Sequence, residues 1–209
     1  MNYKWARDFT LELINQYSIA GSRIPDSYNN QADYVLRIPK LLDDAQMYAA
    51  TNQARIRAVV PMENLDHRER EGWVMYELPE DCWQVCSSGI LRLYDGKVQR
   101  YHKYHQVGDR GIMVPASLDG CLHLEYFRYP TLLGQNPTES TELDNSAAAQ
   151  MALPYYVAAH LAMHDDPFVY QALYNEFEAK LARLAEVPKA EITSVEDSYD
   201  ATEWPYNEA

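Results

Sequence analysis

The chain has 209 residues, 47% of them hydrophobic, which is enough for one compact domain or a domain with an appended part and too little for a large multidomain enzyme. With 31 Asp and Glu against 18 Lys and Arg, its formal charge is −13, and no run of basic residues offers the face a duplex-DNA binder needs. Seventeen Tyr stand against four Phe and four Trp, a preference for rings with a polar tip that suits half-wet surfaces and subunit contacts.

Trp5, Phe9, Leu13, Ile14 and Tyr17 recur every three to four positions, which predicts a helix from Tyr3 to Tyr17. Charges lie among the aromatics of Met1 to Phe9 with no apolar h-region, so no signal peptide is read there. A second helical pattern runs from Ala32 to about Asn52, where Pro39 is expected to kink or restart it. From Ala54 to about Leu133 short β-branched and aromatic runs predict strands at 56–60, 73–78, 90–94, 98–104, 112–114 and 122–129. Asp95-Gly96 between the third and fourth of these is a type I′ hairpin signal, because both residues tolerate positive φ.

After a polar connector from Asn136, Asp144 or Asn145 is expected to cap a helix from Ser146 to His164 with an unusually small-residue surface. Its longest uncharged stretch, Ala147 to His160, is too short to span a bilayer. Asp165-Asp166-Pro167 then predicts a stop and a new helix to about Glu186, since a capping Asp before a first-turn Pro is pre-organised for a helix start. Beyond Pro188 the sequence is acidic and aperiodic, with isolated aromatics at Tyr199, Trp204 and Tyr206, and reads as a tail.

The expected fold is therefore α+β and mainly α: N- and C-terminal helical hairpins forming a helical bundle, a small antiparallel β insertion, and an extended C-terminal tail. The expected boundaries are 1–53 for the first helices, 54–135 for the β-rich insertion, 136–187 for the second helical hairpin and 188–209 for the tail.

Candidate chemistry is sparse. His160 and His164 at i and i+4 share a helix face and, with Asp165 or Asp166, would form a metal-dependent hydrolase site, but no glutamate stands between them to act as base. Cys82, Cys86, Cys121 and His123 carry zinc-ligand chemistry; three cysteines without framework spacing read more readily as reduced, buried thiols of a cytosolic chain. Tyr101-His-Lys-Tyr-His105 has the composition of a single-strand stacking patch, against which the acidic net charge weighs. No phosphate-binding glycine loop and no nucleophile elbow occur. The reading is of a protein that is not an enzyme and has no cofactor, no metal and no membrane partner; a small cytosolic interaction module is the third alternative.

The segments from Tyr17 to Ala50, containing Asn30-Gln-Ala-Asp-Tyr-Val-Leu-Arg-Ile-Pro-Lys-Leu-Leu-Asp-Asp-Ala, then Tyr76-Glu-Leu-Pro-Glu-Asp-Cys-Trp, Leu124-Glu-Tyr-Phe-Arg-Tyr-Pro130, Leu153 to Phe168 and Tyr174-Asn-Glu-Phe-Glu, resemble the head-to-tail connector, or neck adaptor, proteins of tailed bacteriophages. The likeness is one of texture and element order up to about Leu184. It implies a structural virion protein made in the host cytoplasm and assembled as a homo-oligomeric ring, commonly a dodecamer, between the portal protein and the next neck or tail protein. Genomic DNA would pass through the lumen without sequence-specific binding. Tyr199, Trp204 and Tyr206 would be the portal-binding anchors of the tail.

Overall fold

The computed structural model describes residues 1–16, 28–163 and 166–186. The order is α1 (Tyr3–Gln16), α2 (Tyr28–Thr51), β1 (Ile56–Pro61), a 3-10 turn (Met62–Asn64), β2 (His67–Arg70), β3 (Trp73–Glu77), β4 (Cys82–Tyr94), β5 (Lys97–Tyr101), β6 (His105–Val107), β7 (Gly111–Pro115), β8 (Cys121–Arg128), α3 (Ala147–Gln150), α4 (Leu153–Ala162) and α5 (Pro167–Glu186). The chain divides into two compact units, one from Met1–Ile56 with Tyr129–Val187 and one spanning Arg57–Arg128.

The mainly α, helical-bundle expectation is overturned. Eight strands form two four-stranded sheets, in the orders β1-β8-β4-β5 and β2-β3-β7-β6, so the chain is β-rich and the strand region is a unit with its own core. The underestimate has a physical source. β2 is His-Arg-Glu-Arg, wholly exposed, and β6 is three exposed residues, so neither carries the alternation that betrays a strand. The first half of β4, Cys82 to Gly89, was also missed, because a register irregularity between Val85 and Ile90 breaks its period.

In the helical unit, α1, α2 and α5 all pack on α4. The apolar positions of each helix recur at helical spacing and meet in a core that includes Ala6, Ile38, Leu42, Ala45, Leu153, Val157, Leu161, Phe177 and Leu181. The alanines of α4, Ala158 and Ala159, are fully buried against Leu13 of α1 and Leu173 of α5, where their size permits close approach. α2 continues through the buried Pro39 without the restart that was one of the two expected outcomes. The helix expected from Ser146 to His164 is instead divided at Met151 and Ala152. Pro154 cannot donate an N–H to the preceding turn, and the chain crosses the gap with i to i−3 bonds from Ala152 to Ala149 and from Tyr155 to Ala152.

The cap of α3 is Ser146, whose Oγ accepts from Ala149 N at 3.3 Å, and not Asp144 or Asn145. Those two fasten the incoming segment to α2. Asp144 N donates to Gln46 Oε1 at 2.9 Å, and Asn145 Nδ2 donates to the Gln46 carbonyl at 3.3 Å. Asp43 accepts from Leu133 N at 2.7 Å and Gly134 N at 3.1 Å, while Gln150 Nε2 donates to the carbonyls of Leu143 and Asn145 at 2.7 and 2.6 Å. This polar fastening ties residues 133, 134, 144 and 145 to α2 across 90 to 99 positions of sequence.

In the strand unit, Ile90 and Leu124 from one sheet meet Ile112 and Val114 from the other in a core closed by Met62, Leu78 and Tyr126. Each fully buried side chain of this size contributes about 1.5–3 kcal/mol. Asp95 and Gly96 have φ of 50° and 72°, the predicted type I′ turn joining β4 to β5. A second turn of the same kind, Glu71 at 49° and Gly72 at 85°, joins β2 to β3. Gly89 has a φ of 62°, and a Cβ there would fall 2.5 Å from the Tyr104 ring, so both the backbone and the packing require glycine.

Candidate functional site

The structure separates most of the residues that the sequence invited us to group. His160 is half-buried on α4, its Nδ1 lying 2.9 Å from the Tyr156 carbonyl. A carbonyl can only accept, so Nδ1 carries the proton. The imidazole stacks on Tyr156 at 4.0 Å and meets the edges of Tyr170 and Tyr174 at 5.9 and 6.1 Å. Asp166 is the N-cap of α5, its Oδ1 accepting from Phe168 N at 3.0 Å and Val169 N at 3.2 Å, as the Asp-Pro signal predicted. His164 and Asp165 lie outside the described residues. His160 and Asp166 are thus each engaged in holding helices.

Cys82 pairs across the ladder with Arg128 and Cys121 with Leu93, at opposite ends of β8, so the two thiols stand seven positions apart, about 23 Å. Cys86 is buried, and burial, with Asp81 nearby, pushes the Cys82 thiol up from its ordinary value, away from thiolate chemistry. His123 lies beside Leu91 in the register. Among the described residues no three His, Cys, Asp or Glu side chains form a group able to hold a metal ion.

The 101–105 patch is also divided. Tyr101 closes β5 in one sheet and faces the core, while His105 opens β6 in the other sheet and contacts Trp73 at 5.3 Å. Tyr104 fills the space over Gly89. The five residues do not make one surface because 102–104 are the crossing between sheets.

What the helical unit does assemble is aromatic. Tyr48 of α2, Tyr156 and His160 of α4, and Tyr170, Tyr174 and Phe177 of α5 form a connected set of ring contacts between 4.0 and 6.3 Å. Tyr48 Oη donates to Glu178 Oε1 at 2.7 Å. That hydrogen bond, followed by burial, raises the Tyr48 phenol far above its ordinary value, and burial raises Tyr156 and Tyr174, so all three are neutral donors at physiological pH. This cluster places four half-buried tyrosines against the helical core, a placement composition could not reveal. It lacks any feature of a nucleophile or a proton-transfer pair.

Among the described residues, apolar side chains are exposed on both units. On the helical unit a shallow cavity of about 510 Å³ is floored by Trp5, Phe9 and Met151 and rimmed by Lys4, Asp8 and Glu12. Phe168 and Leu36 are 88% and 78% exposed on the same unit. On the strand unit, Leu93 of β4 pairs directly with Val98 of β5 and Cys121 of β8, so the three project together from one sheet face, Val98 being 52% exposed. The predicted partner-binding residues Tyr199, Trp204 and Tyr206 lie outside the described residues. No helix among the described residues is long and apolar enough to cross a membrane.

No protein-family model matches this chain, and no curated protein matches it.

Proposed function

We propose that the chain is a non-enzymatic structural subunit of a tailed-phage neck, a head-to-tail adaptor that assembles as a ring between the portal and the tail or next neck protein. The observation that carries the reading is the presence of exposed apolar side chains on both units, Phe168 and Leu36 on the helical one and Leu93 and Val98 on the strand one. A ring needs two different surfaces on each subunit, because its heterologous contact repeats until it closes, whereas a twofold dimer needs one self-complementary patch. Large apolar side chains left on the surface of a chain this acidic suit contact with neighbours.

The charge of −13 supports the same role, since a DNA conduit works best without a basic lining that would retain the polyanion by counterion release. In this proposal the acidic C-terminal segment, with Tyr199, Trp204 and Tyr206 as anchors, supplies the contact to the portal. Aromatic side chains give most affinity per residue ordered. Native mass spectrometry and negative-stain imaging of the purified chain, alone and mixed with portal, test the proposal. Rings in either condition are expected; a monomer in both overturns it.

A further inference from the structure

The outer face of the sheet β2-β3-β7-β6 sets aromatic and thioether side chains beside arginines. Val74, Tyr76, Ile112 and Val114 point into the core, so strand alternation sends Trp73, Met75, Met113 and Pro115 to the opposite face. The register sets them in two rows, Arg70 beside Trp73 beside Pro115, and Arg68 beside Met75 beside Met113 beside His105. The Trp73–His105 ring contact at 5.3 Å independently places both rows on one face. Its aromatic and thioether groups are half-buried, while Arg68, Arg70 and His105 are exposed. Arg68 has a long ion pair with Glu77 at 3.9 Å, and among the described residues no carboxylate lies within ion-pair distance of Arg70. The result is an adaptable apolar strip edged by Arg68, Arg70 and His105, with Glu77, two positions beyond Met75 on the same face, as the carboxylate beside Arg68, in a chain whose net charge is −13.

The chemistry that fits such a strip is an acidic segment carrying aromatic anchors, which would seat its rings against Trp73 and the two methionines and its carboxylates against Arg68 and Arg70. The chain holds one such segment. Residues 188–209 contain six Asp or Glu and a single Lys, with Trp204 and Tyr206 flanking Pro205. We propose that residues 188–209 dock on this face of their own chain, with Trp204 and Tyr206 as the anchors. Tethering favours the chain's own segment over a second copy, because it holds the segment at an effective concentration on the order of millimolar, far above that of free copies in dilute solution. The inference stands without the connector reading. Taken with it, occupancy of the segment by the sheet face and by the portal are mutually exclusive, so the free subunit hides its portal anchor until the portal competes for it.

The test is photo-crosslinking in the full-length chain at low micromolar concentration, with Tyr206→p-benzoylphenylalanine, a group that inserts readily next to methionine sulfur. Adducts mapping to 73–77 or 111–115 at monomer mass are expected. The double variant Arg68→Glu/Arg70→Glu, which changes only exposed side chains, is expected to lower their yield about fivefold or more, and about 0.5 M salt to act in the same direction. Adducts at other sites, no adducts above background, adducts only at twice the chain mass, or a yield indifferent to the charge reversal would each overturn the proposal. Rings seen without these adducts leave the connector reading intact and remove this one alone.

Discussion

The helical unit and the strand unit solve the same problem, burying enough apolar surface, by opposite routes. Among the described residues the strand unit is one stretch, from Arg57 to Arg128, and its hairpin registers at Glu71-Gly72 and Asp95-Gly96 are set by short turns. The helical unit is assembled from two pieces that the strand unit separates, and its return segment is fastened by side-chain hydrogen bonds to Asp43 and Gln46 instead of by a turn. Local turn chemistry suffices where pairing partners are near in sequence. Where they are about a hundred residues apart, loop closure must be offset by buried contacts made only after the pieces meet.

The sharpest way to break this comparison is to hollow each core in turn. Phe177→Ala is expected to cost about 3–5 kcal/mol and Leu124→Ala about 2–5 kcal/mol, each being fully buried in its own unit. Hydrogen exchange read separately for residues 147–186 and 82–128 checks this. Loss of protection confined to the mutated unit supports two separate cores; equal loss in both means they unfold as one.

A smaller effect is expected from Gln46→Leu, which keeps the volume but leaves the Asp144 N–H without its acceptor. The cost is about 1–3 kcal/mol, because an orphaned buried donor loses its hydration without replacement. Urea denaturation followed by the circular dichroism of the helices measures it. Stability unchanged by this substitution would show that the fastening is dispensable and that helix packing alone joins the two pieces.

The smallest effect is one of pH. Tyr126 Oη donates to Asp81 Oδ1 at 3.1 Å, and burial, reinforced by the Asp81 charge, pushes its phenol up to about 12. In the unfolded chain the same phenol titrates near 10. Between those values the unfolded state binds fewer protons than the native one, so this contribution is complete below pH 10 and declines as pH rises toward 12. Unfolding midpoints taken from pH 8 to 12 are expected to fall less steeply in Tyr126→Phe than in the parent; parallel curves would show that Tyr126 is not the group responsible.

Legibility followed the range of the interaction that fixes each feature. The Asp95-Gly96 hairpin, the Asp166-Pro167 helix start and the register of apolar positions in α1 and α5 could be read directly, because a turn, a cap and a helical stripe depend on neighbours within four residues. β2 could not, since an exposed edge strand of His-Arg-Glu-Arg has no buried face to impose a period. The Glu71-Gly72 pair ahead of Trp73 was the available clue. The supposed sites failed for a related reason. Cys82 with Cys121, and Tyr101 with His105, looked like groups because they are close in sequence or alike in chemistry, but antiparallel pairing put the first two at opposite ends of a strand and the second two in different sheets.

The sequence by itself determined the acidic charge, the places where helices and hairpins begin, and which residues prefer burial, all of which arise from composition and local backbone sterics. Only the tertiary structure decided that four tyrosines and His160 form one half-buried cluster, that α4 is the helix on which the others pack, and that Trp73, Met75, Arg68 and Arg70 share one face. Those outcomes depend on register and on which distant segments meet: a one-residue shift of β3, for example, would have sent Trp73 and Met75 to the core side.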